Sequence, residues 1–168
     1  DWRSPLGDAF GYEAWRGVWE LPCLNLQNPQ VKEYLKDVIR FWISEFDIDG
    51  IRLDCANVLD FQFMRELRLL AEEVKPDFWL MGEVIHGEYG RWVNSEMLHS
   101  VTNYEMHKSI YSAHNDHNYF ELAHNVRRLQ AIGRSLYTFL DNHDEDRIAS
   151  KLKDPNHLKV IYTLLYTL

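Results

Sequence analysis

The chain has 168 residues, of which 46% are hydrophobic and 26% are charged, and its formal net charge is −8 at pH 7. A chain of this length can bury one sizeable core, so a globular protein is expected. Its 18 Lys and Arg are scattered among 26 Asp and Glu, which argues against a nucleic-acid partner. The apolar runs are too short to span a membrane and no secretory leader is visible, so we expect a soluble, cytoplasmic protein, with secretion of the parent left open.

The first predicted element is a helix that starts at Pro29. Residues 1–27 are rich in Trp, Gly and Pro and show no period, which predicts a loop. Asn28 suits the N-cap and Pro29 the first helical position. Apolar residues then recur every three or four positions: Val31, Tyr34, Leu35, Val38, Ile39, Trp42 and Phe46. The pattern predicts a helix that ends near Asp49 and Gly50.

Two short strands with a helix between them are predicted next. Residues 51–53, Ile-Arg-Leu, predict a short strand, and the apolar residues 78–81 predict the next one. Between them, Asp60 can cap a helix that Pro76 stops. The apolar face of that helix consists of Phe63, Leu67, Leu70, Ala71 and Val74.

The rest of the chain continues this alternation. The pattern predicts a weaker strand over residues 100–103 and a fourth strand over residues 136–140. Between them it predicts two helices, over residues 104–114 and 119–130. A last helix is predicted from about Asn156. Parallel neighbours need a crossover connection, and a helix is the usual one, so the alternation favours a parallel sheet.

Three carboxylates follow short apolar runs, at points where a strand would end and a loop begin. Asp54 lies in GIRLDCANVLD, Glu83 in LMGEVIHG and Asp144 in YTFLDNHDEDR. The carboxyl ends of parallel strands meet at one edge, and α/β barrels keep their chemistry there. We therefore expect the three carboxylates to face one pocket.

Taken together, the three strings resemble those of the α-amylase family of glycoside hydrolases. That family carries a Gly-x-Arg-x-Asp string, a Glu string and a His-Asp string in the same order. LPCLN at residues 21–25 resembles a further short string of the family. Residues 45–57 and 63–66 are most similar to the neopullulanase and cyclomaltodextrinase branch.

The resemblance implies the fold class α/β, as a partial (β/α)8 TIM barrel. About half a barrel is expected, formed by the family's strands four to seven. Residues 1–27 would be a loop remnant after the third strand, and residues 28–168 the partial catalytic domain. The chain also starts within a loop and stops on an apolar helix without a C-cap, which predicts a fragment.

The resemblance also implies a role for each acid: Asp54 as nucleophile, Glu83 as general acid/base and Asp144 as transition-state stabiliser. A retaining glycosidase needs one ionised carboxylate to attack the anomeric carbon and one protonated carboxyl, about 5–5.5 Å away, to protonate the leaving oxygen. Arg52 lies two residues before Asp54 and so on the same face of a strand, where its charge favours an ionised Asp54. Glu83 follows an apolar run and is expected to keep its proton near neutral pH.

Five further residues are candidates for substrate binding: Arg52, Asn57, His86, Asn142 and His143. His143 resembles the family's donor to sugar hydroxyls, whereas Asn57 is equally suited to forming a turn and His86 to a structural role. A last group of aromatic side chains could stack on glucose rings or simply pack: Trp15, Trp19, Tyr89 and Trp92.

No cofactor and no metal is expected. Calcium occurs in the family, but its calcium-binding amylases have Lys-His where this chain has Asn57-Val58. Residues 114–117 include two His, yet they are contiguous rather than at ligand spacing, which favours a polar connection between helices. Cys23 and Cys55 predict two reduced thiols.

The expected partner is an α-glucan or maltooligosaccharide, cleaved at α-1,4 links, with α-1,6 links as a further option. An α-glucan transferase of the same family is an alternative, as is a non-catalytic sugar-binding or scaffold barrel. The presence of all three acids disfavours the non-catalytic alternative. The isolated chain is expected to self-associate through unpaired strand edges and to be a poor catalyst.

Overall fold

The computed structural model describes residues 10–168. It contains four strands, β1 (Gly50–Leu53), β2 (Trp79–Gly82), β3 (Ser100–Thr102) and β4 (Leu136–Tyr137). The helices are α1 (Pro29–Phe46), α2 (Phe61–Val74), α3 (Tyr104–Asp116), α4 (Phe120–Leu129), α5 (Ile148–Lys151) and α6 (His157–Leu165). The chain divides into two compact units, one ending at Glu45 and one spanning Phe46–Leu168. The expected domain division at residues 27 and 28 stays a prediction.

All four strands belong to one parallel sheet in the order β1-β2-β3-β4. Each strand pairs with the next one along the chain, so the sheet grows in one direction, as in a barrel wall. Helices connect β1 to β2 and β3 to β4, whereas β2 and β3 are joined by a connection whose only helical turn is Tyr89–Arg91. The predicted partial (β/α)8 barrel is confirmed.

Helix α2 shows how local sequence sets these elements. The Asp60 carboxylate accepts a hydrogen bond from the Phe63 backbone N–H at 2.7 Å, which caps the helix as predicted. One face of α2 is buried: Phe63, Met64, Leu67, Leu70 and Ala71. Within residues 10–168, no helix is both long and apolar enough to cross a membrane.

Helix α1 ends at Phe46, three residues before the predicted end. Asp47 has a positive φ of 50°, which a helix cannot accommodate. The Lys75 ammonium holds this turn, with Nζ at 2.6 Å from Asp47 Oδ1 and 2.8 Å from Asp49 Oδ1.

Strand β4 ends at Tyr137, so the predicted strand over residues 136–140 is too long. Its partner β3 has already stopped, because Asn103 serves as the N-cap of α3. Asn103 Nδ2 donates to Thr138 Oγ1 at 3.3 Å. At Thr138 this side-chain hydrogen bond takes the place of backbone pairing between the two strands. Helix α5 was not predicted.

The polar connection between helices predicted at residues 114–117 is wrong for its first three residues, because α3 continues to Asp116 and His114 is buried. Asn115 Nδ2 donates to the Lys151 carbonyl at 2.8 Å, and Asn115 Oδ1 accepts from the Lys153 N–H at 2.8 Å. The end of α3 is thereby fastened to the chain that follows α5.

Candidate active site

Strand register brings Asp54 and Glu83 side by side. Leu53 at the end of β1 is paired with Gly82 at the end of β2, so the next residue of each strand is an acid. The Glu83 N–H donates to the Leu53 carbonyl at 2.8 Å, which extends the pairing to the acid itself. Carboxylate oxygens of Asp54 and Glu83 lie within 4.8 Å of each other.

Arg52 bridges the two acids. Its Nη1 lies 2.7 Å from Asp54 Oδ1, and its Nη2 lies 3.4 Å from Glu83 Oε1. Partial burial disfavours the charged guanidinium, but the hydrogen bond to Asp54 and the charges of Glu83 and Asp54 outweigh it and raise the pKa of Arg52. The guanidinium therefore stays charged and holds the two carboxylates at fixed positions.

The backbone turns sharply after Asp54. Cys55 adopts the left-handed conformation at φ 45° and ψ 41°, which is uncommon for a residue with a side chain. In this conformation the Cys55 N–H donates to Glu83 Oε2 at 2.9 Å. Backbone strain of this kind is often kept at functional sites. Here it provides a hydrogen-bond donor to the second acid.

The absence of a side chain at Gly82 allows the turn after Asp54 to pack closely against β2. A Cβ on Gly82 would lie 2.7 Å from the Ala56 Cβ and 2.5 Å from the Leu98 Cδ1, both closer than real contacts allow. Ala56 is fully buried against this position. The glycine next to Glu83 therefore lets the turn after Asp54 approach β2.

Glu83 is buried, with 6% of its surface exposed, and its surroundings fix it in place. The Tyr104 hydroxyl lies 3.5 Å from Glu83 Oε1. Burial raises the pKa of Tyr104, and the charges of Glu83 and Asp144 add to this effect, so the phenol stays protonated as a donor. Beyond Glu83, the Val84 N–H donates to Thr102 Oγ1 at 2.9 Å, which ties the chain to β3.

The loop that carries Asp144 is linked to Glu83 by three hydrogen bonds, the first of which involves the Asp144 backbone. Its N–H donates to Asn142 Oδ1 at 2.9 Å, and Asn142 Nδ2 donates to the Tyr104 hydroxyl at 3.0 Å. Tyr104 in turn contacts Glu83. His143 Nε2 lies 3.2 Å from Asp144 Oδ2.

The loop that carries Asp144 is closed at its base by Asp141. Asp141 Oδ2 accepts from the Ile148 N–H at 2.8 Å, and Asp141 Oδ1 accepts from Arg147 Nη1 at 2.9 Å. The backbone hydrogen bond from Ile148 is the main reason that the pKa of Asp141 is lowered. Asp141 thus joins the end of β4 to the start of α5.

The three acids differ in accessibility. The Asp54 and Asp144 side chains are 73% and 52% exposed, in contrast to Glu83. An exposed carboxylate can meet a ligand directly, while a buried carboxyl beside it is shielded from water. This combination suits a site in which two acids act differently on one substrate.

The other predicted site residues divide into two groups. Arg52, Asn142 and His143 lie with the acids, as described above. His86 is exposed and lines a pocket of about 290 Å³ together with Tyr104 and Glu145. Asn57 is exposed in the turn after Cys55 and, within residues 10–168, is not among the side chains that hydrogen-bond to the acids.

The aromatic candidates also divide. Tyr89 and Trp92 are buried at 1% and 5% exposure, so they pack in the core rather than offer a stacking surface. Burial raises the pKa of Tyr89 to about 12. Trp15 and Trp19 are exposed.

Sequence reasoning missed Tyr104 and Asp141 as parts of the site. The apolar pattern assigns Tyr104 to helix α3 only, although the residue directly follows a predicted strand end, which is an available signal. Asp141 lies in the string FLDNHD, three residues before Asp144. The sequence does not show which of these two acids closes the loop and which faces the site.

One group of potential metal ligands converges within residues 10–168: Asp54, Cys55 and Glu83. Calcium prefers six to eight oxygen ligands, and a thiol is a poor ligand for it. The donor set therefore does not fit calcium, and Arg52 already provides positive charge between the carboxylates.

Comparison with known proteins gives related sequences and structures. The chain is 32% identical over 171 residues to a maltogenic alpha-amylase of Bacillus acidopullulyticus, covering 97% of this chain and 28% of that protein. It is 38% identical over 135 residues to neopullulanase 2 of Thermoactinomyces vulgaris, covering 76% of this chain and 23% of that protein. The chain thus spans about a quarter of the length of these curated relatives.

A solved structure shares the fold. The ligand-free cyclic alpha-maltosyl-(1→6)-maltose hydrolase from Arthrobacter globiformis superposes with a TM-score of 0.86 at 26% identity, covering 94% of this chain and 37% of that chain. The family model of the alpha amylase catalytic domain matches residues 5–168. The chain therefore belongs to the α-amylase family, as part of its catalytic domain.

Proposed function

We propose that the protein carrying this chain is a retaining α-glucan glycoside hydrolase. The observation that carries the proposal is the pair Asp54 and Glu83, whose carboxylate oxygens lie within 4.8 Å of each other with Arg52 between them. In retaining glycosidases the two carboxyl groups are about 5–5.5 Å apart, whereas inverting enzymes separate them by about 6.5–9.5 Å to admit a water. The short spacing favours retention.

In the first step, Asp54 attacks the anomeric carbon and forms a glycosyl ester. The bond to the leaving oxygen breaks, and Glu83 supplies a proton to that oxygen. Asp54 is exposed and so can reach the sugar, and Arg52 Nη1 holds its Oδ1 at 2.7 Å. Buried Glu83 lies beside it and can deliver its proton away from bulk water.

In the second step, Glu83 accepts a proton from water as the water attacks the anomeric carbon. The ester bond to Asp54 breaks and the sugar leaves with its original configuration. Asp144 and His143 lie on an exposed loop tied to Glu83 through Asn142 and Tyr104. There Asp144 would stabilise the positive charge of the oxocarbenium-like transition state, and His143 would bond a sugar hydroxyl.

The proposed substrate class is α-1,4-linked glucan or maltooligosaccharide, with α-1,6 links as a second target. Relatives named maltogenic alpha-amylase, cyclomaltodextrinase and neopullulanase support this class. The structural relative named for hydrolysis of cyclic alpha-maltosyl-(1→6)-maltose supports action on rings with both kinds of link. His86 and Tyr104 line a pocket of about 290 Å³ and would contact the sugar there.

The test uses the full-length protein with an aryl α-maltoside, a maltooligosaccharide and a cyclodextrin. Glu83→Gln keeps the shape of the side chain but removes its acid, so turnover of the maltooligosaccharide is expected to fall by about 100-fold or more. The matched control is Glu96→Gln, because Glu96 is an exposed glutamate that pairs with Arg65 at 3.4 Å. Wild-type turnover in Glu83→Gln would exclude the acid/base role.

The stereochemistry is measured separately. Proton NMR of the first product is expected to show the α-anomer before mutarotation, since two inversions restore the configuration. Early appearance of the β-anomer would overturn the double-displacement mechanism while leaving glucan hydrolysis intact.

A further inference from the structure

A cluster of ionisable side chains, one buried and two partly exposed, includes the residue that follows Asp144. Lys151 Nζ in α5 forms an ion pair with Glu145 Oε2 and lies 3.3 Å from His107 Nε2 in α3. His107 Nε2 is also 3.6 Å from the same Glu145 oxygen. The cluster of His107, Glu145 and Lys151 joins two helices to the residue that follows Asp144.

Packing holds the cluster in place. His107 is 3% exposed and stacks on the Phe139 ring at 5.0 Å with an interplanar angle of 11°. The Lys151 ammonium lies 4.8 Å from the centroid of the Tyr111 ring, a cation–π contact. With these partners the Lys151 side chain has few accessible rotamers. Its ion pair with Glu145 is therefore more rigid than a pair between two fully exposed side chains.

The charges indicate the direction of each contact. Burial and the charge of Lys151 lower the pKa of His107, so its neutral ring accepts a hydrogen bond from the Lys151 ammonium. The hydrogen bond with Lys151 is the main cause of the lowered pKa of Glu145, which is therefore ionised. Asp141, whose pKa is also lowered, adds a further negative charge near His107. Lys151 thus serves as the donor to both neighbours.

We propose that Lys151 and His107 are positioning residues that set Asp144 against the sugar by holding its neighbour Glu145. This inference rests on the proposed function. The base of the Asp144 loop is closed by Asp141, and Asn142 connects the loop to Tyr104. Glu145 provides a further tie, on the far side of Asp144, through its contacts with this cluster.

The experiment compares three variants of the full-length protein. Lys151→Met keeps the length of the side chain but removes the donor, so kcat on a maltooligosaccharide is expected to fall by about 10- to 100-fold, because a small displacement of a catalytic group costs that much. KM is expected to stay within about twofold, since Asp144 acts mainly in the transition state. Lys151→Arg retains a charged donor and is expected to restore most of kcat.

The matched control is Lys153→Met, two residues further along. The Lys153 side chain is 69% exposed and pairs with Asp116 at 2.9 Å, away from Glu145, so its loss is expected to leave kcat and KM unchanged. Equal loss in both variants, or a Lys151→Met change confined to KM, would overturn the positioning role. If Lys151→Met fails to fold, Glu145→Gln releases the same tie by removing one charge, and the same loss of kcat is expected.

A second readout separates this inference from the proposed function. Amide hydrogen exchange of residues 141–147 is expected to become at least several-fold faster in Lys151→Met, while exchange in α2 stays unchanged. Unchanged exchange in the loop would refute the positioning role whatever the enzyme's activity. Faster exchange in Lys151→Met, combined with a wild-type protein that cleaves no α-glucan, would instead refute the proposed function and leave the structural tie in place.

Discussion

Arg52 is the residue on which the geometry of the two acids depends. Two different nitrogens of its guanidinium reach the two acids, Asp54 at 2.7 Å and Glu83 at 3.4 Å. A planar fork can hold two acceptors at once, whereas an ammonium is a point charge. The side chain therefore contacts both carboxyl groups at once and fixes their separation.

Arg52→Lys is expected to lower kcat by about 100-fold, because one ammonium cannot keep both carboxylates in place. Initial rates on an aryl α-maltoside, measured with the full-length protein, provide the test. Arg68→Lys is the control, since Arg68 pairs with Glu72 one helical turn away at 2.7 Å. Wild-type kcat in the Arg52→Lys variant would show that charge alone is sufficient.

His107 makes stability depend on pH. In the folded protein its pKa lies below the ordinary 6.5, through burial first and the charge of Lys151 second. As pH falls from about 6.5 through the folded pKa, the unfolded chain binds the proton more readily, so the free energy of unfolding decreases. His99, whose pKa is lowered by burial and Arg68, acts in the same direction.

The denaturant midpoint of the full-length protein is therefore expected to fall between about pH 7.5 and about pH 5. His107→Gln removes part of that fall, while His124→Gln, at an exposed position, leaves it unchanged. An identical pH dependence in wild type and His107→Gln would show that His107 does not carry the effect.

At the scale of elements, the register of β1 and β2 determines the positions of Asp54 and Glu83. Leu53 and Gly82 are paired, so the acids that follow them emerge together. Gly82 has a second function, since only a residue without Cβ lets Ala56 and Leu98 approach it. The turn that orients the Cys55 N–H toward Glu83 depends on this close approach.

Gly82→Ala is expected to destabilise the protein by about 1–3 kcal/mol, as overpacking of a dense core does. It is also expected to lower kcat, because the turn after Asp54 must shift. Thermal unfolding and steady-state kinetics measure the two effects. Gly133→Ala is the control, because no atom lies within 4 Å of a Cβ added there. Equal stability of the two variants would contradict the packing argument.

At the scale of the whole molecule, the sheet described by residues 10–168 has two edges. β1 pairs only with β2, and β4 pairs only with β3. Unpaired strands offer backbone donors and acceptors to another chain. Exposed apolar side chains lie on the strands, including Trp79 and Tyr137, whose rings are 6.3 Å apart.

The isolated 168-residue chain is therefore expected to form dimers or larger assemblies at micromolar concentration and to be a poor catalyst. Light scattering after size exclusion measures the first property. Tyr137→Lys places a charge on edge strand β4 and is expected to reduce association, whereas Tyr166→Lys, at an exposed position after α6, is not. A stable wild-type monomer, or maltodextrin turnover that Glu83→Gln abolishes, would contradict the respective expectation.

Local patterns predicted most of the elements because their signals are short-range. The cap at Asp60 and the apolar spacing after it predicted α2, and the short segments 51–53, 78–81, 100–103 and 136–140 predicted the four strands. Where a prediction failed, tertiary contacts decided. β4 stops at Tyr137 because β3 ends and Asn103 binds Thr138, and α1 stops at Phe46 because Asp47 turns the chain toward Lys75.

The sequence by itself determined the family resemblance, the parallel α/β order and the proximity of Asp54 and Glu83, since each acid follows a strand directly. The tertiary structure decided the rest of the site. Asp144 lies well beyond the end of β4, and the link of its loop to Glu83 depends on Asn142 and Tyr104, through contacts that join positions 38 and 21 residues apart in the chain. No local pattern encodes such contacts, because they form only when the folded strands bring distant loops to the same edge.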